Sequence, residues 1–129
     1  MKSTTTRYID ATPEAMAKLA KLFRCTEKYV YMCLTYRQDN ETARKIRYTA
    51  VKNYDATPMC HLPECETWHD TLEDNRRIMR QVFNNGATLR ADKDTGEAWI
   101  TNRKGEQVEH RDHIDLPELA KLQVIAENL

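Results

Sequence analysis

The sequence predicts an α+β protein: a bundle of N-terminal helices, then one more helix, a three-stranded antiparallel meander and a C-terminal helix. Three observations lead to this class. Apolar residues recur at helical spacing through most of the chain, and three short alternating runs lie between turn signals near its end. The chain also has only 3 glycines and 4 prolines among its 129 residues. This scarcity excludes β-rich folds with frequent tight turns and any glycine-rich phosphate loop.

Three helices are predicted before residue 55. Thr12 followed by Pro13 is a typical helix start, because the hydroxyl can cap free amide groups and proline fits the first helical position. A break at residues 24–26 ends this helix, and Thr26 is the expected cap of the second one. The third helix is predicted from about Glu41 to Tyr54. The apolar residues that recur at helical spacing are, in the first helix, Ala15, Met16, Leu19, Ala20, Leu22 and Phe23, in the second Val30, Cys33 and Leu34, and in the third Ala43, Ile46, Ala50 and Val51.

The prolines and a shift in composition divide the chain into two predicted domains. Residues 56–66 contain Pro58 and Pro63 and are interpreted as a linker. Residues 1–55 form the first domain in this interpretation, and residues 67–129 form an α+β subdomain suited to dimerisation or another interaction.

The second predicted domain begins with a helix. A roughly helical period of apolar residues predicts this fourth helix from Thr67 to Phe83: Trp68, Leu72, Met79, Val82 and Phe83. Asn84-Asn85-Gly86 would end it, since Asn and Gly accept the left-handed conformation. Three alternating runs follow as the strands of the meander: residues 87–91, 97–101 and 106–110. Asp115 ahead of Pro117 indicates the start of the terminal helix.

Charge is distributed unequally between the two halves of the chain. The whole chain has 20 basic and 20 acidic residues and a formal net charge of zero. Residues 1–55 contain 11 Lys and Arg and 6 Asp and Glu, which gives a formal net charge of +5. Residues 56–129 contain 9 Lys and Arg and 14 Asp and Glu, which gives a formal net charge of −5. A basic first half predicts a polyanionic partner for that half.

Nothing in the sequence indicates a membrane segment. No run approaches the about 18 consecutive apolar residues of a membrane helix, and the start MKSTTTRYID lacks the apolar stretch of a secretory signal. We therefore expect a cytoplasmic protein without membrane contact.

The cysteines suggest two different environments. Cys25 and Cys33 lie within apolar helical patterns and are interpreted as core residues. A second group could bind zinc if the chain around Pro63 folded its members together: Cys60, His61, Cys65 and His69. The alternative is a linker with incidental cysteine and histidine. We favour the linker and predict no metal, because structural zinc sites usually combine two separated pairs of ligands.

The run AKLAKLFRCTEKYVYMCL, residues 17–34, contains a short helix, a three-residue break and a second helix that begins with a capping threonine. The run ETARKIRYTAVKNY, residues 41–54, provides a packing helix after it. On these residues the segment from about 13 to 55 resembles the DNA-binding helix-turn-helix of the Cro and lac-repressor-like superfamily. The resemblance covers about a third of the chain and does not extend to the C-terminal half. A plain helical hairpin is the alternative interpretation.

One position departs from the pattern of that family. Its members usually have glycine in the turn, where this sequence has Arg24. The turn must therefore follow a right-handed path or hold Arg24 in a mildly costly conformation.

The resemblance implies which residues contact DNA. The start of the second helix would enter the major groove, and the residues implied to face the bases or the nearest phosphates are Thr26, Glu27, Lys28, Tyr31 and Met32. The basic residues implied to contact phosphate are Arg37, Arg44, Lys45 and Arg47.

The function implied by the resemblance is sequence-specific binding of double-stranded DNA by a small bacterial or phage-type transcription regulator. No enzyme activity is predicted, because His110 and His113 are interpreted as surface residues. No cofactor is expected, and the second half has too few residues for a deep effector pocket, so no small-molecule effector is expected either. The alternative function is a protein–protein interaction module whose meander edge pairs with another protein.

A homodimer is the expected assembly, because regulators of this kind usually place two recognition helices on a palindromic site. Residues 67–129 would join the two chains through the apolar face of the terminal helix: Leu119, Leu122, Val124, Ile125 and Leu129. The alternative is that this helix covers one face of the meander within a monomer.

Overall fold

The computed structural model describes residues 7–59 and 64–129. The chain divides into two compact units: the first comprises residues 1–62 together with Asn128, and the second comprises residues 63–127 together with Leu129. None of the helices in the described ranges has both the length and the apolar character needed to cross a bilayer.

Within residues 7–59 the first unit contains three helices and a two-stranded antiparallel sheet. Its elements in chain order are β1 (Tyr8–Asp10), α1 (Pro13–Phe23), α2 (Glu27–Leu34), α3 (Glu41–Asn53) and β2 (Thr57–Met59). β1 pairs with β2, so that Ile9 lies opposite Pro58. Neither strand was predicted from the sequence, and β2 lies within the predicted linker at residues 56–66.

The helices predicted for the first unit are confirmed. A side-chain oxygen before each helix accepts a hydrogen bond from a backbone amide: Thr12 from Ala15 at 3.1 Å, Thr26 from Tyr29 at 3.1 Å and Asn40 from Ala43 at 2.8 Å. A cap of this kind typically stabilises a helix by about 1 kcal/mol. Most of the apolar side chains at helical spacing lie in the core of the unit, among them Leu19, Val30 and Ile46. Leu22 does not, since it is 58% exposed, and Met16 and Phe23 are half-buried.

From residue 64 onward, the described part of the second unit contains a five-stranded antiparallel sheet and one helix. Its elements are β3 (Cys65–Thr71), β4 (Arg77–Phe83), β5 (Thr88–Asp92), β6 (Ala98–Thr101), β7 (Gln107–Arg111) and α4 (Leu116–Glu127). The strands lie in the order β3-β4-β5-β6-β7, so each strand pairs with its neighbours in the chain. Leu89 and Ile100 are fully buried on one face of this sheet. α4 lies on that same face, where Gln123 Nε2 donates a hydrogen bond to Gln81 Oε1 at 2.8 Å.

The predicted fold class is wrong in the second unit. Residues 67–83 do not form a helix, because β3 and β4 form an antiparallel hairpin in which Trp68 lies opposite Arg80. The three runs that were predicted as strands are β5, β6 and β7, but they belong to a five-stranded sheet and are not a three-stranded meander between two helices. Asn84-Asn85-Gly86 therefore joins two strands and does not end a helix.

The turn between β3 and β4 explains the error. Leu72 N donates to Arg76 O at 2.9 Å and Asn75 N donates to Leu72 O at 2.9 Å, with Asn75 in a left-handed conformation at φ 67°. Asn tolerates this conformation better than most residues. Leu72, which the helical interpretation placed on an apolar face, lies at this turn and is 44% exposed.

Candidate nucleic-acid interface

The turn between α1 and α2 is held by backbone hydrogen bonds. The amide of Arg24 donates to the carbonyls of Ala20 and Lys21, and Cys25 N donates to Ala20 O at 2.9 Å. Arg24 has φ 54° and ψ 48°, the left-handed conformation that commonly ends a helix. The chain therefore adopts the costly one of the two conformations that the sequence allowed, at about 1 kcal/mol or slightly more for a residue that is not glycine.

α2 has one buried and one exposed face. Val30, Cys33 and Leu34 are at most 2% exposed and form the buried face. The side chains of Thr26, Glu27, Lys28 and Tyr31 lie on the exposed side, Tyr31 with 49% of its surface accessible, and Met32 is half-buried. The structure therefore brings together the residues that the sequence predicts to face DNA at the start and middle of α2.

Three of the four predicted phosphate contacts are also exposed. The Arg37 guanidinium lies 5.9 Å from the centre of the Tyr31 ring, just beyond the end of α2. Arg44 and Lys45 lie on the exposed side of α3, where Lys45 Nζ is 3.5 Å from Glu41 Oε1. An exposed ion pair of this kind is worth little in water, so Lys45 can exchange its partner for a phosphate.

Arg47 differs from these three residues because it is only 2% exposed. Its Nη1 donates to the carbonyl oxygens of Cys33 and Gln38, both at 3.1 Å, and its Nη2 donates to Asp39 Oδ1 at 2.8 Å. The guanidinium also lies 4.6 Å from the centre of the Tyr36 ring. Because groups of the protein already bind this guanidinium, we do not expect Arg47 to contact phosphate.

Three more basic residues, none of them predicted as a DNA contact, are exposed near the turn. They are Lys18 and Lys21 on α1, and Arg24 in the turn. The signal was present in the run AKLAKLFR, where positive charges follow the apolar residues at helical spacing. Glu14 and Glu27 are exposed on the same two helices, so the positive charge of this surface is not uniform.

A cleft of about 530 Å³ lies beside the end of α2. Its walls come from β1, the start of α1 and the residues that follow α2, and they include Tyr31, Tyr36 and Arg37. The guanidinium of Arg7 lies 4.0 Å from the centre of the Tyr36 ring in this wall. Two residues of the predicted interface, Tyr31 and Arg37, therefore also line a concave surface.

The cysteines and histidines of the possible zinc cluster are only partly described. Cys60 and His61 lie outside the described residues, and Cys65 and His69 both belong to β3. Four residues along a strand span about 13 Å, which is too far for two ligands of one zinc ion. Among residues 7–59 and 64–129, no three Cys, His, Asp or Glu side chains are grouped as metal ligands would be.

The remaining cysteines and histidines have structural surroundings. Cys33 is buried, as predicted, and Cys25 is half-buried. Burial raises the pKa of both thiols, which favours their protonated form. His110 Nε2 lies 2.7 Å from Glu97 Oε2, and His113 Nδ1 lies 3.0 Å from the carbonyl oxygen of Thr95.

Comparison with known proteins finds no match to this chain among family models, curated proteins or solved structures.

The buried position of Arg47 gives a first prediction. Arg47→Ala should lower the free energy of unfolding by at least about 2 kcal/mol, because four hydrogen bonds from a charged donor are lost together, including one from Nε to Asn128 Oδ1 at 3.0 Å. Chemical denaturation followed by circular dichroism measures this change. Arg44→Ala, on the exposed side of the same helix, is the control and should change the stability by no more than about 0.5 kcal/mol. Equal stability of the two variants would contradict a structural role for Arg47.

Proposed function

We propose that the first unit binds double-stranded DNA in a sequence-specific manner, and that the protein is a small bacterial or phage-type transcription regulator of the cytoplasm. In this proposal α1, the turn and α2 form a helix-turn-helix. The observation that carries the proposal is the division of α2 into a buried apolar face and an exposed polar face that begins at a capped helix start. A major groove about 12 Å wide admits such a helix.

The exposed side chains of α2 have the chemistry needed to distinguish bases. Lys28 can donate to O6 or N7 of guanine, and Glu27 can accept from N4 of cytosine. Tyr31 and Met32 offer apolar surface to a thymine methyl group. The hydroxyl of Thr26 already accepts from Tyr29 N and keeps its own proton, which it can donate to a phosphate.

The phosphate contacts would come from basic residues beyond α2. Arg37, Arg44 and Lys45 are exposed, and each can replace a condensed counterion on the DNA backbone. Lys18, Lys21 and Arg24 provide additional positive charge near the turn. Phosphate contacts of this kind orient the protein without reading the sequence.

We predict that the full-length protein binds duplex DNA with a steep dependence on salt. If Arg37, Arg44 and Lys45 each neutralise one phosphate, the logarithm of the affinity falls with the logarithm of salt with a slope of about −3 per chain. Anisotropy of a labelled duplex, measured between about 50 and 200 mM salt, gives this slope. Absence of duplex binding at the lowest salt would reject the proposal and favour the protein-interaction module.

Substitutions should separate base contacts from phosphate contacts. Lys28→Ala and Tyr31→Ala should each reduce discrimination between a selected site and random duplex by about 1 to 3 kcal/mol, because each removes a contact to a base edge. Arg44→Ala should weaken both duplexes equally. Lys104 is an exposed basic residue of the second unit, and Lys104→Ala is the control that should change the affinity for neither duplex. The selected site is obtained by repeated selection of bound sequences from random duplexes. If Lys28→Ala loses the same affinity for the selected site and for random duplex, its side chain contacts phosphate and not a base.

Dimerisation remains part of the proposal, but its predicted contact changes. Leu122, Val124 and Ile125 are at most 2% exposed within a single chain, so they are not available to join two copies. The geometry of DNA still favours a dimer, since two recognition helices bind half-sites about 34 Å apart. Light scattering of the complex with a palindromic site should show two chains per duplex. One chain per duplex would contradict the dimer.

A further inference from the structure

One row of side chains crosses all five strands of the sheet in the second unit. Strand register places each member directly opposite the next, from β3 to β7: Trp68, Arg80, Arg90, Trp99 and His110. Residues directly opposite each other on neighbouring strands project from the same face of a sheet. The row therefore lies on the face opposite to the one that carries Leu89, Ile100 and α4.

The aromatic members of this row are accessible. Trp68 is 49% exposed, a large fraction for a tryptophan, and Trp99 is half-buried. The guanidinium of Arg80 lies 5.5 Å from the centre of the Trp68 ring. An exposed indole beside a guanidinium offers both a stacking surface and a hydrogen-bond donor to a ligand.

The two arginines in the middle of the row are directly opposed, an arrangement that destabilises a sheet when the charges are not balanced. Arg80 Nε donates to Asp70 Oδ2 at 2.8 Å, and Arg90 Nη1 donates to the hydroxyl of Thr101 at 3.3 Å. The hydrogen bond from Arg80 lowers the pKa of Asp70, and the charges of both arginines lower it further. One carboxylate thus faces two guanidinium groups, which leaves positive charge between the two tryptophans.

The surroundings of the row limit the kind of polyanion that it fits. Glu66 is exposed on β3 at the same face as Trp68, and His110 contacts Glu97 at 2.7 Å. Residues 56–129 carry a formal net charge of −5. Duplex binding depends mainly on many phosphate contacts, which this face does not offer. Single strands differ because aromatic stacking supplies a large part of their affinity.

We propose that this row binds single-stranded nucleic acid, with bases stacked on Trp68 and Trp99 and the intervening backbone over Arg80 and Arg90. Strands lie about 4.8 Å apart, so the three strand steps between the two tryptophans correspond to about 14 Å. That separation leaves room for backbone between two stacked bases. Asp70 accepts from both Nε and Nη2 of Arg80, so the paired donors for a phosphate come from Nε and Nη2 of Arg90, while Arg80 contributes its charge and Nη1. This site belongs to the second unit and does not depend on duplex binding by the first.

The tryptophans themselves report on the proposed site. The sequence has 2 tryptophans, Trp68 and Trp99, and both belong to the row. Tryptophan emission of the full-length protein should therefore be quenched, to saturation, by an oligothymidine or an oligouridine. The two oligonucleotides distinguish DNA from RNA as the source of the strand. A duplex of equal length should leave the emission unchanged, and the salt slope for the single strand should be shallower than about −1.5, as expected for one or two phosphate contacts.

Variants test the stacking directly. Trp68→Ala should weaken binding of a labelled oligothymidine at least about 5-fold, measured by anisotropy, whereas Trp68→Phe should retain most of the affinity. Leu72→Ala removes an exposed apolar side chain from the β3–β4 turn, off the row, and should bind as the unsubstituted protein does. Thermal melts of all three variants show whether each still folds. If Trp68→Ala does not fold, the comparison of Trp68→Phe with Arg90→Ala tests the site instead. Trp68→Phe should bind the oligothymidine nearly as well as the unsubstituted protein, and Arg90→Ala should bind it at least about 5-fold more weakly.

Three results would overturn this proposal. Unchanged emission at saturating oligonucleotide would exclude stacking on the row. Equal affinity of Trp68→Ala and Leu72→Ala would show that the aromatic surface does not contribute. A dimer in light scattering that Trp68→Ala converts to a monomer, without any oligonucleotide binding, would assign the face to a second copy of the chain. Failure of the helix-turn-helix proposal is distinguishable, because Lys28→Ala and Arg44→Ala should leave single-strand binding unchanged.

Discussion

The guanidinium of Arg47 is the contact on which the geometry of the first unit depends. It bonds a carbonyl at the end of α2, a carbonyl in the following loop and a carboxylate before α3. A single planar group thereby connects the second helix, the loop and the third helix, which lysine could not do with a single ammonium group. The orientation of the exposed face of α2 follows from this arrangement. Helical spacing does place Arg47 on the inward face, four residues from both Ala43 and Val51. The sequence could not show which groups the guanidinium bonds, because they come from α2 and the following loop.

The parts of the fold that were predicted correctly are those specified by local chemistry. The starts of α1 and α2 were predicted from Thr12 and Thr26, whose hydroxyls bond amides three residues ahead. Apolar spacing identified the buried faces of α1, α2 and α3, because a helix brings every third or fourth residue to one side. The candidate interface on α2 was predictable for the same reason, since the polar residues between the apolar ones had to face solvent.

The second unit was predicted less well because its first two strands are not strictly alternating. In β4 the buried residues Ile78, Gln81 and Phe83 do not all project from one face, and Gln81 is a buried polar residue bonded to α4. A pattern of this kind matches a helical period as well as a strand period. The row of tryptophans and arginines could not be predicted from the sequence for a further reason. Its members are far apart in the chain and become neighbours only through the register of four hairpins.

The pairing of β1 with β2 bears on the order in which the chain folds. Ile9 and Pro58 lie about 50 positions apart, whereas every pair of strands in the second unit is joined by one turn. Closing a long loop costs more entropy than closing a short one, so we expect this pairing to form after the helices between the two strands. On the ribosome the first unit can be completed only once Met59 has emerged. The sheet of the second unit can instead grow one hairpin at a time as its strands are synthesised.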